Sequence, residues 1–74
     1  MLFGQQLRIE RKRNEMSAQN LADVCGVTRA YISLIEGGFR LPGRSLIPIM
    51  AEALNLKVNI ILNWYLEDVR EKQQ

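Results

Sequence analysis

Between Ser17 and Gly38 the chain uses one arrangement twice: a hydroxyl residue, a run of apolar side chains at helical spacing, then glycine. Ser17 precedes Ala18, Leu21, Ala22 and Cys25, which fall at i, i+3, i+4 and i+7 and so form one buried helix face. Gly26 follows, a residue free to take the left-handed conformation that ends a helix. Only Val27 separates it from Thr28, a second helix cap, after which Tyr31, Ile32 and Ile35 point inward until Gly37-Gly38 stops the run. Two helices joined by so short a turn meet at a steep angle, with small Ala22 at the crossing and Val27 and Ile32 beneath it. The second helix is thereby projected outward.

The rest of the chain also reads as helix, since no window sustains the apolar-polar alternation of a strand. A first helix is predicted from about Leu2 to Asn14, with Phe3 and Leu7 inward, although Glu10 takes the next inward position and Ile9 lies off the stripe. Pro48 requires the fourth helix to begin no earlier than about Arg44 or Ser45. A C-terminal helix is predicted over about 56–70, and Glu67 to Gln74 is polar enough to fray. With 74 residues, 47% apolar and 24% charged, residues 1–74 make a single all-α domain that folds around a modest core.

Several function classes drop out. There is no histidine, no Gly-rich phosphate loop and no metal-ligand cluster, so no enzyme, metal site or cofactor is expected. Cys25 is the one cysteine, which excludes an intrachain disulfide and points to a reduced, cytoplasmic setting. The apolar stretch Leu56 to Leu66 is cut by Lys57, Asn59 and Asn63, and the N-terminus lacks the order of a signal peptide, so no membrane contact is expected.

Net charge is only +2, but it is unevenly distributed. Residues 1–14 carry Arg8, Arg11, Lys12 and Arg13 against Glu10, and residues 28–44 carry Arg29, Arg40 and Arg44 against Glu36. The segments 15–27 and 45–74 are net acidic. Segregation of this kind is what a phosphate-facing surface needs.

In Arg11, Met16-Ser17, Leu21-Ala22, Gly26-Val27-Thr28-Arg29, Tyr31-Ile32-Ser33, Ile35-Glu36, Gly38, Pro42 and Ala53-Leu54, the chain resembles the Cro and phage-repressor helix-turn-helix family, over about residues 3–62. That family is also called the xenobiotic-response-element family. The resemblance implies a compact five-helix lambda-repressor-like domain with its helix-turn-helix at about 17–37, binding double-stranded DNA as a transcriptional regulator. The third helix, roughly Arg29 to Gly37, would lie in the major groove and present Thr28, Arg29, Ala30, Ser33 and Leu34 to base edges. Arg29 can bond both O6 and N7 of guanine, whereas Ala30 and Leu34 suit a thymine methyl. Arg11 and Glu36 occupy positions that in the family form an ion pair between the first helix and the end of the third.

Backbone contacts fall to Ser17 and Gln19 at the second helix, to Arg40 and Arg44 flanking the loop Gly37 to Gly43, and to Arg13, Lys12 and Arg8. The sequence departs from the family at Ala18, where many members carry a glutamine that braces the reading helix, and at Glu10 and Pro48.

From Leu56 to Val69 nine of fourteen residues are apolar, on more than one helix face. One stripe, Val58, Ile61, Leu62 and Tyr65, is expected to cover the core; the other, Ile60, Trp64 and Leu66, is expected to meet a second subunit in a homodimer. A repressor on an inverted-repeat operator follows. A restriction-modification controller or the antitoxin of a toxin pair has the same fold and length, and an adaptor or antirepressor without DNA contact would share the core but not the basic face.

Overall fold

In a computed structural model, which describes residues 2–72, the chain forms five α-helices: α1 (Phe3–Arg13), α2 (Ala18–Cys25), α3 (Arg29–Glu36), α4 (Leu46–Ala53) and α5 (Val58–Lys72). No strand occurs among the described residues. The principal contacts close a ring in which α3 packs on α1 and α2, α2 on α4, α4 on α5, and α5 on α1. Phe3, Leu7, Leu21, Ile32, Ile35, Ile47, Met50, Leu54 and Ile61 fill its centre. α3 therefore has core behind one face only, and α5 is remote from it along the ring.

The central helix pair forms as its residues dictate. The Ser17 hydroxyl accepts from the Asn20 amide at 3.0 Å, and the Thr28 hydroxyl accepts from the Tyr31 amide at 3.1 Å, so each helix starts on a capped turn. Gly26 sits at φ 70°, and the Val27 amide donates to the Ala22 carbonyl at 3.0 Å, completing a left-handed stop before α3 begins. Leu21, Ala22 and Cys25 are buried, and burial pushes the Cys25 thiol pKa up. Pro48 falls in the first turn of α4, where the missing amide hydrogen costs no helical bond.

The C-terminal helix differs from expectation. Trp64, assigned from sequence to the partner face, is only 8% exposed and meets the Phe3 ring edge-on, with centroids 6.0 Å apart. Tyr65 also meets the Phe3 ring edge-on, with centroids 6.5 Å apart. The inward face of α5 is thus Ile61, Trp64 and Asp68, while Val58 and Leu62, expected in the core, are 39% and 40% exposed. Ile61 and half-buried Tyr65 cover the core as expected, and the inward face is rotated about 80° around the helix from the mean direction of the expected stripe. The predicted polar, frayed end is also corrected up to Lys72: α5 continues to that residue, and the Asp68 carboxylate is buried. Gln73 and Gln74 lie outside the described residues.

Asp68 has a definite task. Leu2 cannot cap α1 with its side chain, and Asp68 Oδ2 accepts from the Phe3 amide at 2.9 Å across 65 residues of sequence. A carboxylate there also opposes the positive end of the helix dipole. α5 thereby fixes where α1 starts.

Candidate nucleic-acid interface

The open side of α3 carries Arg29, Ala30, Ser33 and Leu34, all exposed, with Thr28 exposed at its cap. Their spacing follows from burial of Ile32 and Ile35 on the opposite side, with Tyr31 half-buried between. All five residues predicted to read bases are thus brought onto one accessible surface. The Thr28 hydroxyl is engaged in capping as an acceptor, which leaves its proton available for donation.

Two couplings hold this helix in place. Arg11 Nε donates to Glu36 Oε2 at 2.7 Å and Nη2 to Glu36 Oε1 at 3.0 Å, while Nη1 donates to the Met16 carbonyl at 2.7 Å. Arg11 is 9% exposed, and its pKa is raised above the ordinary arginine value chiefly by the hydrogen bond to Glu36, so it stays charged at every relevant pH. This forked pair ties the end of α3 to α1 and to the turn before α2.

The second coupling was not predicted. Gly4 lies against the C-terminal end of α3: a Cβ added there would run into the Ile35 carbonyl oxygen and stand 2.8 Å from that of Glu36. Only glycine permits that approach. The signal was present as a glycine inside a helical stretch, which a helix tolerates at a cost of about 1 kcal/mol unless a neighbour comes close.

Around α3 the remaining predicted contacts divide. Arg44 is exposed in the α3–α4 loop, whereas the Arg40 guanidinium carbon lies 5.2 Å from the Tyr31 ring centre, a cation-π arrangement that holds it beside α3. An open groove of about 330 Å³ runs between Thr28 and Tyr31 on one side and Gly43, Ser45 and Leu46 on the other.

At α2, Ser17 is occupied with capping and with a 2.7 Å bond to Asn20 Oδ1, and Gln19 Nε2 donates to Asp23 Oδ1 at 2.8 Å. Both are exposed, but Gln19 must leave Asp23 to reach a phosphate. Arg13 is paired with Glu10 at 3.0 Å, which explains how Glu10 is accommodated at its partly inward position. Arg8 and Lys12 line a shallow groove with Gln5 and Ile9 on the side of α1 away from the core. Ile60 and Leu66 are exposed, but six residues apart they point about 120° from each other, so with Trp64 buried the three do not form one contact surface.

A model of the helix-turn-helix domain matches residues 2–59, most of the chain. The chain belongs to that family. Over 72 residues it is 38% identical to the HTH-type transcriptional repressor RghR of Bacillus subtilis, an alignment covering 93% of this chain and 53% of RghR. The chain therefore spans about half the length of that curated relative. Among solved structures, the restriction-modification controller protein C.AhdI from Aeromonas hydrophila superposes with a TM-score of 0.74 at 32% identity, covering 80% of this chain and 86% of C.AhdI. SinR, the master regulator for biofilm formation, solved in complex with DNA, gives a TM-score of 0.75 at 27% identity, covering 82% of this chain and 98% of SinR. The five-helix architecture expected from the Cro and phage-repressor resemblance is the one present. Among the described residues no helix is long and apolar enough to cross a membrane, and no group of side chains is arranged to hold a metal ion.

Proposed function

We propose that this chain is a sequence-specific double-stranded DNA-binding transcriptional regulator without catalytic activity, acting as a repressor on an inverted-repeat operator as a homodimer. The observation that carries this reading is the open face of α3, with Arg29 at its first turn and Arg40 and Arg44 beside it, held to the domain by the buried Arg11–Glu36 pair. A major groove about 12 Å wide admits one such helix, and Arg29 stands where the N-terminal residues of a reading helix meet base edges. RghR is a repressor by name and SinR was solved with DNA, which supports the same role here. C.AhdI keeps restriction-modification control as an alternative role for the same DNA-binding surface.

Selecting bound sequences from a random duplex pool tests the reading. A conserved inverted repeat should emerge, with binding that weakens steeply as salt rises, because phosphate contacts release counterions. Recovery of no enriched sequence, with no retardation of random duplex at low salt, would instead favour an adaptor that uses this fold without DNA.

A further inference from the structure

Phe39 is the most exposed large apolar side chain among those described, at 83%, and it stands immediately beyond the reading helix. Its backbone is fixed. Gly38 adopts φ 83° and its amide donates to the Ile35 carbonyl at 3.1 Å, while the Phe39 amide donates to the Leu34 carbonyl at 3.0 Å. This is the left-handed helix stop in which the residue at Phe39's position ordinarily packs back on the one at Leu34's. Here that position leaves both side chains open to solvent, Leu34 being 43% exposed.

The ring rests instead along Gly37, where a Cβ would come within 3.0 Å of two ring carbons. Beyond it, Arg40 turns over Tyr31, and Leu41 and Pro42 anchor the loop in the body of the domain. Residues 37–45 carry two arginines and no acid. An exposed aromatic ring on a fixed backbone thus shares the loop after α3 with two arginines.

Resting on the DNA-binding reading, we propose that Phe39 is a DNA-contacting residue, its ring packing on the deoxyribose carbons and thymine methyl at the edge of the groove that α3 enters. Charge complementarity selects this occupant. An apolar ring exposed in the same acid-free loop as Arg40 and Arg44 matches phosphates alternating with sugar and base carbon, and phenylalanine is an established partner of thymine methyls. A second copy fits less well, because the exposed apolar row of α5 belongs to a helix that packs on α1 and α4 rather than on α3.

The test compares wild type, Phe39→Ala and Gly37→Ala, singly and together, on the selected operator and on random duplex, with salt titration, thermal unfolding and sedimentation in parallel. Phe39→Ala should weaken operator binding about tenfold, the scale of one apolar base or stacking contact. The salt slope, unfolding midpoint and oligomeric state should not move. Gly37→Ala, whose Cβ would stand 3.0 Å from two ring carbons, crowds the ring and should weaken binding by less than Phe39→Ala does, with little further loss when the two are combined. Operator binding by Phe39→Ala equal to wild type overturns the proposal. So does a loss of affinity that tracks loss of the dimer, which would place the ring against a second copy. Wild type that binds no duplex at all rejects the DNA reading itself, an outcome distinct from either.

Discussion

Arg11 and Arg29 carry the same side chain in opposite settings, one buried in an ion pair and one exposed. Arg11, with both faces of its fork on Glu36 and a third bond to the Met16 carbonyl, is committed to the fold. Its loss leaves a nearly buried carboxylate without its cation, so Arg11→Ala should lower stability by about 3–5 kcal/mol in denaturant unfolding. Replacing both partners by apolar residues of similar volume should recover much of that loss, which a double-mutant cycle would read. Arg29 is exposed at the free end of α3 and should be silent in the same unfolding assay. Arg29→Ala should instead cost about 1–3 kcal/mol of discrimination at one operator base pair, measured by competition between wild-type and substituted operators. Equal weakening on all sequences would make it a phosphate contact, the role proposed for Arg44, whose removal should lower the magnitude of the salt slope by about 1.

Among the helices, legibility from sequence followed local physics. α2 and α3 were readable almost residue by residue, because Ser17, Gly26 and Thr28 act within a few residues of themselves through caps and a left-handed stop. The open face of α3 is legible for the same reason: burying Ile32 and Ile35 leaves no choice about where Arg29 and Ser33 point. The inward face of α5 is not legible from periodicity, because between Val58 and Leu66 apolar residues fall on several sides and the deciding contacts with Phe3 lie some sixty residues away. Asp68 looked like a solvated tail residue, although its spacing from Ile61 and Trp64 continues the inward face; what it caps is an α1 amide invisible to local pattern. Phe39 and Gly4 were missed because exposure of one and close approach at the other are tertiary facts. These long-range joints predict large effects. Gly4→Ala should push α1 off the end of α3 and destabilise the domain by about 1–3 kcal/mol or more, since backbone carbonyls cannot step aside as a side chain would. Trp64→Ala should cost about 3–5 kcal/mol by opening a cavity beside Phe3. Against the roughly 4–11 kcal/mol ordinary for a domain of this length, that approaches unfolding.

For the whole molecule, the question is which surface pairs two chains. With Trp64 inside, the apolar residues left open on α5 are Val58, Leu62 and Leu66 on one flank, at i, i+4 and i+8, with Ile60 on the other. The three-residue row forms a continuous stripe that one chain can present to a symmetry-related copy, and it lies on the helix remote from α3 in the ring, so pairing there leaves both reading helices free. We propose that row, in which Leu66 is the residue the sequence also assigns to the partner face, as the dimer face. Two chains related by a two-fold axis carry two-fold related reading helices, so the operator must be an approximate inverted repeat with half-site centres about 10 base pairs apart, or more if the dimer is wider. Leu62→Glu with Leu66→Glu tests the joint without touching the core, since both side chains are already substantially exposed. Two like charges facing their copies across the axis should give a folded chain with an unchanged helical signal that sediments as a monomer at micromolar concentration. On DNA it should lose cooperative occupancy of paired half-sites while a single half-site is bound nearly as before. Retention of the dimer by this variant would move the interface to another face, and a wild-type monomer protecting one asymmetric half-site would remove the two-fold arrangement from the account altogether.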